Sequence, residues 1–182
     1  MKRFVAGLAI VAGLFGFSGA STISESADTL NKMKILNGYE DGSLRLENNI
    51  TRAEFCALLI NMLGIKDFEG LNNRFLDIKE NAWYFNAINK VAELGFINGY
   101  KEDGTFRPSN NITYAESCAI LVNLLGYNSE LEGSWPVNVI KKAEELGIVE
   151  GLENIDSSYK MTRGEISVML VNSMNTKVKI DE

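Results

Sequence analysis

The 182-residue chain contains no histidine, two cysteines and two prolines. Without histidine it lacks the commonest general base and the commonest metal ligand. No nucleophile elbow and no recurring carboxylate pair outside the helix caps takes its place, so neither an enzyme nor a cofactor is expected. Basic residues are also few, 18 against 24 acidic ones for a net charge of −6. An acidic surface argues against nucleic acid as a partner, because phosphate binding wants a basic face. The apolar run Phe4 to Phe17 is 14 residues long, short of the roughly 20 that a stable membrane span requires. With Lys2 and Arg3 before it and Ser18-Gly19-Ala20 after it, residues 1–20 read as a signal peptide cleaved after Ala20. Removal of those two cations leaves 16 basic against 24 acidic side chains, a net charge of −8. Any anionic ligand must then be caught by local cations. The cysteines, Cys56 and Cys118, each lie five residues after a threonine that starts a helix. They are expected as buried free thiols, and a disulfide would require a symmetry axis that brings the two helices together there.

What the chain does have is repetition. Ile50-Thr51-Arg52-Ala53-Glu54 is matched by Ile112-Thr113-Tyr114-Ala115-Glu116 and by Met161-Thr162-Arg163-Gly164-Glu165. Each is a T-x-x-E capping box, in which the threonine caps a helix and the glutamate reaches back to the threonine amide. Ten residues after each threonine stands an asparagine (Asn61, Asn123, Asn172), and thirteen after it Gly64, Gly126 or Asn175, residues that tolerate the left-handed conformation ending a helix. The residues between are almost all apolar, which suits a helix surrounded by protein. A preceding helix also recurs. Trp83, Asn86, Ile88, Leu94, Gly95 and Gly99 return 52 residues later as Trp135, Asn138, Ile140, Leu146, Gly147 and Gly151. The first copy is curtailed, with Thr22 at the tryptophan position. Asp-Gly turn signals mark the loops after Tyr39 and Tyr100, which carry too few alternating oxygen ligands for calcium.

The run Phe75-x-Asp77, Trp83, Gly95-Phe96-Ile97-Asn98-Gly99-Tyr100, Asp103-Gly104-Thr105-Phe106-Arg107-Pro108, Ile112-Thr113-x-Ala115-Glu116 resembles a whole S-layer homology (SLH) repeat. The first and third units resemble the same family more loosely. The resemblance implies an all-α fold of three helix-loop-helix repeats forming a pseudo-threefold spindle around a central helical bundle. The expected segments are a signal peptide at 1–20, repeats at 21–64 (N-terminally truncated), 75–126 and 133–175, and a charged tail at 176–182. It also implies a non-catalytic cell-wall anchor whose inter-repeat grooves bind secondary cell wall polysaccharide carrying pyruvate ketals, at the cell surface of the exporting cell. The alternative is an envelope adaptor that binds another protein, its wall binding partly lost.

Arg52 and Arg163 occupy the first helical position, where a cation opposes the positive end of the helix dipole at a cost of about 0.3–1 kcal/mol. A helix N-terminus with unpaired amides is already an anion site, and an arginine there adds a planar, bidentate partner for a carboxylate. The competing reading pairs each arginine with a surface glutamate, worth about 0–1 kcal/mol. In the SLH family the arginine of the TRAE motif contacts the polysaccharide, which favours the ligand reading. On that reading, loss of the arginine weakens binding and leaves the fold as stable or slightly more so. Tyr114 replaces the arginine in the second unit and would have to stack on a sugar face instead. Trp83 and Trp135 are expected first as wedges in the core or between repeats, and second as the apolar floor of a sugar site. Asp77, Gly38, Gly99 and Gly151 would line the same grooves, although Gly99 could simply serve backbone angles.

Overall fold

The computed structural model describes residues 22–179, and the expected signal peptide lies outside them. The described residues form six α-helices and one 3-10 turn, with only isolated β-bridges and no strand. The helices are α1 (Ile23–Lys32), α2 (Arg52–Met62), α3 (Phe85–Glu93), α4 (Tyr114–Leu124), α5 (Val137–Glu145) and α6 (Arg163–Asn175). The all-α expectation holds. None of these helices is long and apolar enough to cross a membrane.

Local sequence sets the start of α2, α4 and α6. In each, the threonine hydroxyl accepts the amide of the glutamate three residues on at 3.2 Å, and the glutamate carboxylate accepts the threonine amide at 2.8–2.9 Å. A fourth capping box, Thr22-x-x-Glu25, starts α1. The first unit, expected to be curtailed, therefore keeps its leading helix, and the T-x-x-E spacing that announces it is present in the sequence. Left-handed Gly64 and Gly126 follow the ends of α2 and α4 as expected. Asn175 does not act in the same way, because it is the last helical residue of α6 and Thr176 beyond it is extended. The recurring asparagines have a structural task. Asn61, Asn123 and Asn172 donate to carbonyls of Ile35, Gly95 and Ile148, in the turn that ends the leading helix of the same unit.

The pairing of helices is not sequential within units. The main helix contacts join α2 to α3, α4 to α5, and α6 to α1, so each capped helix packs against the leading helix of the next unit and the last unit closes on the first. A ring of backbone bonds mirrors this closure. The Ile112 amide donates to the Ile50 carbonyl, Met161 to Ile112 and Ile50 to Met161, all at 3.0 Å. The three units thus succeed one another around a common axis. Ile50, Ile112 and Met161 are completely buried there, in one core shared by side chains of all three capped helices. Such cyclic closure makes each unit dependent on both neighbours, since no helix pair within one unit covers its own apolar face.

The first part of the tail expected at 176–182 is docked against the fold. The Thr176 hydroxyl donates to Leu146 O, Tyr127 Oη donates to Lys177 O at 3.0 Å, and Lys179 N donates to Leu125 O at 2.8 Å. Gly126 lies directly under this strand of chain, with no room for a Cβ beneath the Lys179 carbonyl.

Candidate functional site: inter-unit grooves

Arg52 sits where the first unit meets the second. Its backbone amide donates to Asn110 O at 2.9 Å and that of Ala53 to Pro108 O at 3.1 Å. In the same way Tyr114 and Ala115 donate to Tyr159 O and Ser157 O, and Arg163 and Gly164 to Asn48 O and Leu46 O. With the third amide held by the capping threonine, the helix N-termini are occupied by the next unit's loop. The expected anion site of unpaired amides is therefore corrected: tertiary contacts have satisfied those groups.

The arginine side chains are buried as well. Arg52 is 3 % exposed, its Nε donating to Phe106 O at 3.0 Å, Nη2 to Asn98 O at 3.1 Å and Nη1 to Glu116 Oε1 at 2.9 Å. Arg163 is 6 % exposed and donates from Nε to Leu44 O at 2.9 Å and from Nη2 to Asn37 O at 3.0 Å, with Glu54 Oε1 3.7 Å from Nη1. Glu116 and Glu54 are themselves capping glutamates, so a charge of one unit reads the helix start of the next. The unfavourable dipole position of each arginine is offset by these carbonyls and by the ion pair, and neither sequence reading anticipated a buried guanidinium.

Around Arg52 a groove of about 310 Å³ is lined by Asn98, Gly99, Tyr100, Glu116, Asn123 and Trp135 among others. It brings together three of the expected residues, Arg52, Gly99 and Trp135. Trp135 is 56 % and Trp83 66 % exposed. The wedge expectation for the indoles is thereby corrected: both stand at the start of an outer helix with most of their surface in solvent. Trp83 meets Tyr84 edge-on at 5.3 Å between centroids. The need for Gly99 is close approach, since a Cβ there would lie 2.5 Å from both Phe75 and Thr105 O. Gly151 instead has φ +85°, and Gly38 only a tight contact with Ser43 O. Asp77 stands apart from the groove lining. Its two oxygens accept the amides of Phe106 and Arg107 at 2.7 Å, stapling the loop that feeds Phe106 O to Arg52.

Sequence reasoning missed Tyr100 and Arg107 and their counterparts Tyr39 and Arg45. The Arg107 guanidinium lies 3.7 Å and that of Arg52 5.2 Å from the centre of the Tyr100 ring. Tyr39 carries Arg45 at 3.8 Å and Arg163 at 5.1 Å in the same way. The Tyr100 hydroxyl and Arg52 share Glu116 Oε1. Arg107 and Arg45 are held by Asp103 and Asp41 at 3.1 Å. These aspartates are pushed down to about 2 by bonds from the side chain and amide of Thr105 or Ser43 and then by the arginine. The paired Asp-x-x-x-Arg spacing in both loops was the available signal.

Tyr114 departs from this plan. It is 3 % exposed, and its pKa is raised above the ordinary tyrosine value by burial. The expectation that it stacks on a sugar is corrected, since its ring offers no open face. Tyr114 and Gly151 line a separate groove of about 590 Å³. Cys56 and Cys118 are buried free thiols as expected, and desolvation pushes both up to about 12.

The family model for the S-layer homology domain matches residues 20–56 and 74–116. The chain belongs to the S-layer homology family. It is 30 % identical over 155 residues to a middle cell wall protein of Brevibacillus brevis, covering 84 % of this chain and 14 % of that protein. A surface layer protein of Brevibacillus choshinensis is 28 % identical over 161 residues, covering 87 % of this chain and 14 % of that one. A cellulosome-anchoring protein of Acetivibrio thermocellus is 31 % identical over 168 residues, 82 % of this chain and 37 % of that protein. This SLH chain thus spans only a small part of the length of these relatives. The third capped helix lies outside the two matched segments and is joined to them by its capping box, its arginine and the closed ring.

Proposed function

We propose that this SLH chain is a non-catalytic module that anchors to the cell wall by binding secondary cell wall polysaccharide in its inter-unit grooves. The observation that carries this reading is the Arg52 groove. There a buried guanidinium stands with the exposed indole of Trp135 and the backbone around Gly99, in a space of about 310 Å³. An indole face suits the apolar side of a sugar ring, and a guanidinium suits an acidic substituent such as a pyruvate ketal. Three of the five guanidinium N–H groups are used by the protein contacts described above, which leaves donors for a ligand. Arg163 with Gly38, and Trp83 at the position equivalent to Trp135, form the second set. The relatives named for walls and surface layers support a location at the cell surface, and export with cleavage after Ala20 rests on the basic start, the apolar run and the small residues of 1–20. The working boundaries are 21–64, 75–126 and 133–175.

The test is cosedimentation of the protein with purified cell walls, before and after chemical removal of the polysaccharide. Binding lost on stripping is the expected result, and equal binding to stripped walls would refute polysaccharide recognition. The buried Tyr114 favours a second reading for part of the molecule, an envelope adaptor that also binds another protein.

A further inference from the structure

The junction of the second and third units keeps Gly151 and the capping Glu165 but has lost the arginine, the stacked tyrosine and the tryptophan of the Arg52 groove. Tyr114 replaces Arg52 and is buried. Leu152 stands where Tyr100 carries two guanidiniums, and Asp156 takes the place of Arg107, each six residues before the next capping threonine. Glu150 replaces Asn98 before the glycine. No tryptophan corresponds to Trp135, because Thr22 holds that position in the first unit. Beside Tyr114 a separate groove of about 590 Å³ opens between α5 and the loop that follows it, with Ile140 and Ile155 half-buried in its wall. Glu144, Glu150 and Glu153 are exposed along it, in no ion pair among the described residues, and no basic residue lines it.

Carboxylates repel an acidic glycan, and aliphatic side chains give no aromatic face for a sugar to stack on. Three unneutralised carboxylates over an aliphatic floor complement cations carried on an apolar stem, which is the chemistry of lysine- or arginine-bearing protein segments. We propose that the Tyr114–Gly151 groove is a docking site for a basic segment of another protein and takes no acidic wall polysaccharide. This inference is independent of wall binding, since no arginine lines this groove.

The test is NMR titration of the isotope-labelled full chain with an end-capped peptide alternating lysine and leucine, and with its glutamate-leucine counterpart. The expected result is saturable shifts of the Gly147 and Gly151 amides with the lysine peptide alone, weakened at least tenfold in Glu144→Gln/Glu150→Gln/Glu153→Gln. These exposed positions leave the fold intact, checked by helicity and melting. Shifts confined to other surfaces, equal shifts with the glutamate peptide, or binding unchanged in the triple variant would overturn the proposal. In a separate arm, acid-bearing wall polysaccharide fragments should leave Gly147 and Gly151 unshifted. Shifts there matching those at Gly99 would overturn the exclusion of the glycan. Failure of wall binding itself would show instead as no shift at Gly99, leaving the peptide result to stand.

Discussion

Replacing Arg52 with alanine should cost stability, against the small gain that dipole relief alone would give. The substitution removes a nearly fully buried guanidinium from two backbone carbonyls 46 and 54 residues away in sequence and from the Glu116 carboxylate. Deleting one partner of a buried pair typically costs about 3–5 kcal/mol. Glu116 is not fully buried, with 21 % of its side chain exposed, and it keeps the Thr113 amide, the Thr113 hydroxyl and Tyr100 Oη as donors. That places the carboxylate's share at the low end. The carbonyls of Phe106 and Asn98 lose charge-assisted bonds and regain water only incompletely, and the few tenths from the dipole subtract little. A net loss of about 3 kcal/mol follows, or roughly 6–12 °C in melting temperature for a domain of this size. Arg163→Ala should lose about 2 kcal/mol, because its glutamate is more distant than that of Arg52. Thermal and urea unfolding followed by circular dichroism give both numbers, with Arg52→Met as the control that keeps an unbranched apolar stem while removing the guanidinium from its carbonyls and from the Phe106 ring. A melting temperature for Arg52→Ala equal to or above that of the parent would refute the claim that this arginine is built into the fold. Wall binding is then compared at a temperature where the variant is still folded.

Gly164→Ala places a methyl 2.6 Å from Ile23 Cγ2 and 3.2 Å from Leu46 O, so overpacking should outweigh the entropic gain by about 1 kcal/mol. Adding Ile23→Ala should recover most of that loss, and an unchanged melting temperature in the single variant would contradict the contact. Asp103 should titrate at about 2 by carbon-detected NMR, moving toward the ordinary aspartate value in Thr105→Val. Its folded pKa is depressed, so its stabilising effect is complete above the unfolded value of about 4 and is lost as pH falls toward 2. A titration midpoint near 4 in the parent would count against the Thr105 and Arg107 contacts. Neither Cys56 nor Cys118 should react with an aromatic disulfide reagent at pH 8 in the native protein, and both should react in denaturant. Rapid native labelling of either would contradict their burial.

The capping boxes, the apolar capped helices and the order of leading helix, loop and capped helix were all legible in the sequence. They rest on contacts three or four residues apart, and those depend on residue identity alone. The same spacing marks α1 at Thr22 and Glu25, where the lack of a tryptophan disguises the first unit's leading helix. What Arg52 and Arg163 touch was decided only in three dimensions. Their partners lie 46 to 126 residues away, brought close because each capped helix packs on the next unit rather than on its own. That closure fills the helix amides with loop carbonyls, buries Tyr114 against Cys118 and leaves Trp83 and Trp135 in solvent. A charge at a helix start is a visible oddity in the sequence. Whether it serves a ligand, a neighbouring carbonyl or both depends on which surface the ring brings against it, and local propensity carries no information about that surface.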